Sequence, residues 1–348
     1  MKFKAAVLVK TGSPLEIIGH IEVPKLAEGQ VLVKIFYSGV CHSQLMEASG
    51  ARGEDKYLPH MLGHEATAQV LETGPSVTKV KVGDNVILGW IKATGIDAGG
   101  SVYQSPLGKI NAGAVTTFSE ISVVSENRCY LLPEQIGLRE GVLLGCALPT
   151  GMGMVDNQIN CQPHHSIGIF GLGGIGMAAL IAAVTSQAKL VVAIDTNPAK
   201  LALAHKLGAH FCINPQKEDV YEIVANITHG EMLNFIIEAA GSCRTIEQAF
   251  SLINKQRGKC IFASHPKHGD KICLDPFELI CGKKIEGSWG GMSNPESLVK
   301  KIAKNNKNAE LSELVANSYD LQQINQAMQD LQAQKVLRAI IDMDNLTT

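Results

Sequence analysis

Gly171-Leu172-Gly173-Gly174-Ile175-Gly176 decides how this chain is read, because of what flanks it. The apolar run Ser166–Phe170 leads in with the make-up of a buried parallel strand, and residues 177–184, all good helix formers or small apolar residues, lead out. A second apolar run, Leu190–Ile194, ends at Asp195, 19 residues past Gly176. Strand, G-x-G-x-x-G turn, helix, strand and terminal acid, in that order, form the pattern of a βαβ unit that binds a dinucleotide. The glycines let the turn close and let backbone approach a pyrophosphate, while the helix start offers free N–H groups and a partial positive charge. Gly171, Gly173, Gly174, Ile175 and Gly176 are therefore candidate phosphate contacts, and Asp195 is the candidate partner of the adenosine ribose.

Toward the C-terminus the alternation continues. Strands are expected at 211–214, 235–239, 259–263 and 284–289, with helical runs that include 198–207 and 245–253. Six strands with helical crossovers predict a doubly wound parallel sheet, an α/β architecture. The tail adds helices near 295–303 and 321–331 and a last strand at 336–341. Toward the N-terminus the first 150 residues read mainly as β, with runs at 3–9, 15–23, 30–37, 66–73 and 85–90 separated by Gly- and Pro-bearing turns. Residues 91–113 are rich in Gly, Ala and Ser with little periodicity, and are expected to be a long surface excursion. The chain thus divides into a β-rich catalytic domain (1–150), a dinucleotide-binding domain (151–289) and a segment (290–348) that returns to complete the first. The active cleft is expected between the two domains.

Composition sets the outer limits. A length of 348 residues suits two domains, each able to bury a core. A net charge of −2 gives no general attraction to nucleic acid or to an anionic membrane. No apolar run approaches the ~18 residues that span a bilayer, and Met1-Lys2-Phe3-Lys4 starts a strand-like segment instead of a signal peptide. The nine cysteines are scattered and follow no disulfide framework, which points to a reducing cytoplasm with thiols available for metal or catalysis.

Three of those cysteine and histidine positions form a pattern. Gly39-Val40-Cys41-His42-Ser43 follows the strand at 30–37, Gly63-His64-Glu65 precedes the strand that begins at Ala66, and Gly145-Cys146 precedes Thr150-Gly151-Met152-Gly153. Two thiolates and an imidazole at strand–loop junctions would make a three-ligand zinc site with an open fourth position, the form of a catalytic zinc. With Val82-Gly83-Asp84, the Gly171–Gly176 turn, Asp195 and Gly287-Ser288, these motifs run in order along nearly the whole chain.

On those residues the chain resembles a zinc-dependent medium-chain alcohol dehydrogenase. The resemblance implies a GroES-like β-rich catalytic domain joined to a Rossmann cofactor domain, one catalytic zinc per chain, and NAD. It implies Cys41, His64 and Cys146 as zinc ligands, Glu65 as the acid beside the ligand histidine, and Ser43 as the hydroxyl that starts proton removal from the alcohol. His42 and Arg338 would lie near the cofactor pyrophosphate, Lys200 near the adenosine ribose and Thr150 on the nicotinamide side. A small alcohol or aldehyde would be the substrate, and a homodimer or homotetramer would form by pairing of edge strands near 284–289. Taken alone, Ser43 is equally an N-cap of the helix after Cys41, and Trp90 is either a pocket wall or a core residue.

Three departures from the family pattern stand out. Residues 91–128 contain no cysteine, so the four-cysteine lobe that holds a second, structural zinc in many members is absent. Gln44 stands where an acid is usual, which removes a negative charge behind the metal. Met46 stands near where a histidine often ends the proton relay, so the proton would leave by a ribose hydroxyl and water, or by His42. The loop at Gly95-Ile96-Asp97-Ala98-Gly99-Gly100 suggests a polar alcohol, such as a polyol or cyclitol. Two other readings stay open: a zinc-free quinone or enone reductase of the same superfamily, and a dinucleotide-binding protein without turnover. Metal content separates all three.

Overall fold

Up to Leu131 the regular structure is strand apart from one α-helix and one short 3-10 turn, in a computed structural model that describes residues 1–305 and 308–343. The strands are β1 (Lys2–Leu8), β2 (Glu16–Glu22), β3 (Gln30–Val40), β4 (His60–Met61), β5 (Glu65–Thr73), β6 (Asn85–Gly89), β7 (Val102–Ser105), β8 (Gly108–Asn111), β9 (Ile121–Ser125) and β10 (Cys129–Leu131). A closed barrel runs β1-β2-β7-β8-β4, filled by Phe3, Ile21, Tyr103 and Ile110, with the Phe3 and Tyr103 rings edge-to-face at 5.5 Å. A second sheet runs β10-β6-β5-β3, with β9 paired to the first half of β3. Flanked on both edges, β3 is apolar over most of its length, and it delivers the chain directly to the helix α1 (His42–Ser49). The short helix α2 (Leu138–Gly141) follows β10.

The β7–β8 hairpin corrects one expectation, because it falls inside the segment read as an excursion. Each of these two short strands turns a single fully buried side chain inward, Tyr103 and Ile110. One buried residue per strand leaves no alternation for a sequence reading to detect.

From Ala147 the architecture changes. Helix α3 (Ala147–Gly153) leads to β11 (Ser166–Phe170), β12 (Leu190–Ile194), β13 (Phe211–Ile213), β14 (Phe235–Glu238), β15 (Lys259–Phe262) and β16 (Lys284–Gly287). They form a parallel sheet in the order β13-β12-β11-β14-β15-β16. The crossovers carry α4 (Gly174–Thr185), α5 (Pro198–Lys206), α6 (Val220–Ile227), α7 (Cys243–Ser251) and α8 (Pro276–Ile280). The inner strands β11, β12 and β14 are buried over most of their length, which is why they read as continuous apolar runs, and β11 and β12 have the bounds the sequence suggests. Helix α4 is apolar on all sides because it is buried on all sides, from Gly176 to Ala183. Strand order reverses at β11, where a doubly wound sheet opens its binding crevice.

The remainder returns through α9 (Pro295–Asn305), α10 (Asn308–Leu314), β17 (Asn317–Asp320), α11 (Ile324–Gln332) and β18 (Ala339–Asp342). Strand β18 pairs with the end of β3, Ala339 opposite Val40 and Ile340 opposite Gly39, and β17 lies parallel to β18. Two compact units result: Met1–Cys146 together with the chain from Asn294, and Ala147–Ser293. Among the described residues no helix is long and apolar enough to cross a membrane.

Candidate functional site

In the first unit three loops converge. Cys41 follows the last residue of β3 and caps α1, with its N–H donating to Gln44 Oε1 at 2.8 Å. His64 sits in the turn between β4 and β5. There Gly63 has φ +91°, and a Cβ would collide with Thr117 and Phe118, so only glycine admits the turn. Cys146 ends the short 3-10 turn Val142–Gly145, which lies close enough to β5 that a Cβ on Gly145 would fall 2.8 Å from Glu65 Cβ.

The two Sγ atoms and a His64 ring nitrogen all lie within 4.8 Å of one another, with His64 Nε2 3.3 Å from Cys146 Sγ. The hydrogen bond from Cys146 holds the Cys41 thiol well below its ordinary pKa, helped by the charges of Arg338 and His64 against burial. Cys146 is raised well above its own, because it gives that hydrogen to Cys41 and is itself buried. One proton is thus directed from Cys146 toward Cys41, and a divalent cation would let both thiols ionise.

Behind the thiols lies a buried ion pair. Glu65 is fully buried, and its Oε1 meets Arg338 Nη2, while Oε2 has no hydrogen-bond partner. Burial raises the Glu65 pKa, and Arg338 offsets this only in part. Burial works against the Arg338 charge as well, yet Glu65 and the two thiols hold the guanidinium above its ordinary value. Gln44 is equally buried and touches two candidate ligands, accepting from the Cys41 backbone and placing its Nε2 on His64 Nδ1. Ser43 does not cap α1, since Cys41 holds that place; its Oγ is buried with no partner. His42, beside it, is exposed.

In the second unit the glycine turn has three distinct jobs. Gly171 has φ +90°, and a Cβ there would lie 2.5 Å from Ala240 N; a Cβ on Gly176 would run into the Gly171 carbonyl. A Cβ on Gly173 would meet nothing within 4 Å, so this side of the turn is open to approach. Gly173 caps α4, and the N–H groups of Gly174, Ile175 and Gly176 are those that a helix start leaves unpaired. Asp195 ties the turn to β12: its Oδ2 accepts Leu172 N–H at 2.7 Å and its Oδ1 accepts Asn197 N–H at 2.8 Å. Lys200 Nζ stands 3.9 Å from the same carboxylate. Thr150 is buried in α3, next to Gly151, whose missing side chain lets α3 approach α4 at Ala178.

Known proteins share these features. The alcohol dehydrogenase GroES-like domain matches residues 27–134, and the zinc-binding dehydrogenase family matches residues 174–304. The S-(hydroxymethyl)glutathione dehydrogenase of Synechocystis sp. is 32% identical, over 98% of this chain and 100% of its own. The chain belongs to the zinc-dependent medium-chain alcohol dehydrogenase family. Two solved structures agree, each covering 99% of both chains. An alcohol dehydrogenase zinc-binding domain protein from Burkholderia ambifaria has a TM-score of 0.90 at 28% identity, and benzyl alcohol dehydrogenase from Acinetobacter calcoaceticus has 0.88 at 25%.

As a member of this family the protein is an oxidoreductase, and zinc and a nicotinamide dinucleotide are the cofactors of such alcohol dehydrogenases. The residues fit both groups: two thiols and an imidazole for zinc, with an unpartnered hydroxyl two residues past Cys41, and an open glycine turn with an acid at the next strand for the dinucleotide. Among the described residues Cys41, His64 and Cys146 are the one cluster of metal-binding side chains found. In this alcohol dehydrogenase the segment after β6 is fastened by a carboxylate instead of by cysteines. Buried Glu126 accepts from Thr78 N (2.7 Å), Lys79 N (2.8 Å) and Ile96 N (2.7 Å). The sequence reading did not foresee the Glu65–Arg338 pair, whose members stand 273 positions apart.

Proposed function

We propose that this enzyme holds one catalytic zinc on Cys41, His64 and Cys146 and transfers hydride between an alcohol, or the matching aldehyde or ketone, and NAD. The observation that carries the reading is a Cys-His-Cys triad within 4.8 Å accompanied by a buried, unpartnered Ser43 hydroxyl. Zinc at this position supplies Lewis acidity to the substrate oxygen, and the cofactor supplies the hydride acceptor.

The chain's own residues do the rest. Ser43 Oγ accepts the proton of the alcohol and passes it outward, by way of a ribose hydroxyl and water or by His42. Gln44 orients His64, and Glu65 keeps a negative charge behind the ligands that Arg338 balances. We assign Arg338 to this pair in preference to the pyrophosphate contact the resemblance implied. The backbone of Gly171, Gly173, Gly174, Ile175 and Gly176 takes the diphosphate, Asp195 and Lys200 the adenosine ribose, and Thr150 the nicotinamide side. The zinc chemistry thus belongs to the first unit and cofactor binding to the second.

The substrate is a primary alcohol in this reading, because the hydroxymethyl and benzyl alcohols in the relatives' names both present a CH2OH carbon. A homodimer or homotetramer is supported by the second unit, where β16 is an edge strand and Trp289 is 82%, Ile280 79% and Phe277 66% exposed. A cytoplasmic location is supported by nine cysteines with no disulfide among them. A panel of primary, secondary and polyhydric alcohols, run with NAD and with NADP, tests the proposal. Turnover of a primary alcohol with NAD, abolished by a chelator and restored by zinc, is expected. Reduction of quinones or enones by the metal-free protein would favour the zinc-free reading.

A further inference from the structure

Glu238 ends β14 in the way that Asp195 follows β12. The strands of both flank β11, in register: Phe170 lies opposite Ile194 on one side and opposite Glu238 on the other. With neighbouring strands about 4.8 Å apart, the two acids stand roughly 10 Å from each other across the mouth of β11. Glu238 is fully buried. Its Oε1 accepts from Ala240 N (2.9 Å), Gly241 N (2.8 Å) and Thr245 Oγ1 (2.8 Å), and its Oε2 from Ser264 Oγ (2.5 Å). None of these four donors carries a charge, and no ion pair to Glu238 forms among the described residues. The turn it organises is also the one against which Gly171 packs, at Ala240.

A dinucleotide laid across a switch point places its two halves on opposite sides of the central strand. With the adenosine at Asp195, the nicotinamide half runs toward the end of β14. NAD+ and NADH differ there by one positive charge. We propose that Glu238 selects the oxidised cofactor: its buried, uncompensated carboxylate binds the cationic nicotinamide ring of NAD+ more tightly than the neutral ring of NADH. This rests on the assignment of the Gly171–Gly176 turn as the dinucleotide site.

The test is Glu238→Gln, which keeps shape and most hydrogen bonds but removes the charge. Holoenzyme of each form is titrated with NAD+, NADH and ADP-ribose, the last sharing the glycine turn but lacking nicotinamide. Loss of a unit negative charge on the nicotinamide side of the crevice implies about a tenfold rise in the NAD+ Kd. Kd values for NADH and ADP-ribose should stay within about twofold. A parallel loss for all three ligands would show that Glu238 only builds the turn and would overturn the inference, as would an unchanged NAD+/NADH ratio. Should Glu238→Gln not fold, Ser264→Lys sets a cation on the same carboxylate oxygen and must lower the preference for NAD+ in the same direction. Failure of the unmodified enzyme to bind even ADP-ribose would instead remove the dinucleotide site itself, and this inference with it.

Discussion

A buried hydroxyl with nothing to bond is a standing cost of about 1–3 kcal/mol unless a ligand completes it. Ser43 Oγ is such a group, two residues past the candidate ligand Cys41 and adjacent in sequence to Gln44, which bonds His64. Ser43→Ala should therefore lower kcat/KM by about 100-fold or more, as loss of a proton acceptor does, with zinc content and Tm unchanged. Asp195 carries the second prediction at this scale. A 2′-phosphate about 4 Å from its carboxylate meets a repulsion of roughly 4 kcal/mol at an effective dielectric near 20, cut to about 2–3 kcal/mol by solvent and salt. Lost hydrogen bonds add about 1 kcal/mol, so NAD should be preferred over NADP by about 100- to 1000-fold in kcat/KM. Asp195→Ala should weaken NAD and narrow the gap, the more so because the same carboxylate holds Leu172 N–H. Equal kcat/KM for both cofactors in the unmodified enzyme would contradict the ribose role. Asp195 is legible in sequence because an acid at the end of an apolar run is a local signal. Arg338 is not, since its partner Glu65 is brought to it only by the pairing of β18 and β5 with β3.

Among elements, the segment after β6 shows how a cross-link can be replaced. Glu126 gathers three backbone N–H groups from two separate stretches of chain, and Ser125 Oγ and Asn127 Nδ2 add bonds to Ala98 and Asp97. Glu126→Gln should cost about 2 kcal/mol, since only one acceptor oxygen remains. Burial works against the Glu126 charge, but the Ile96, Lys79 and Thr78 N–H groups hold its carboxyl below the ordinary 4.5. A carboxyl depressed in the folded state contributes fully above its unfolded pKa and loses that contribution as pH falls through the folded one. The Tm gap between the unmodified protein and Glu126→Gln should thus be complete near neutral pH and shrink below about pH 4.5. A gap independent of pH would exclude the charged role. The parallel strands were legible because burial on both faces writes a continuous apolar run. The β7–β8 hairpin was not, because one inward residue per strand writes no pattern.

For the whole molecule, the exposed apolar residues of the second unit and the central chemistry of the first lead to separate measurements. Trp289→Asp with Ile280→Glu should convert an oligomer to monomers in sedimentation equilibrium, while a monomeric unmodified protein would remove the edge-strand interface. The doubly wound sheet followed from the order of strands and helices. What no run of residues discloses is the convergence of Cys41, His64 and Cys146, which depends on three loops closing at once. Zinc content per chain therefore tests the account most directly. Metal analysis of protein purified with zinc present should give one zinc per chain, falling to near zero in Cys41→Ala while ADP-ribose still binds. No zinc in the unmodified protein, or two tightly held ions, would contradict it.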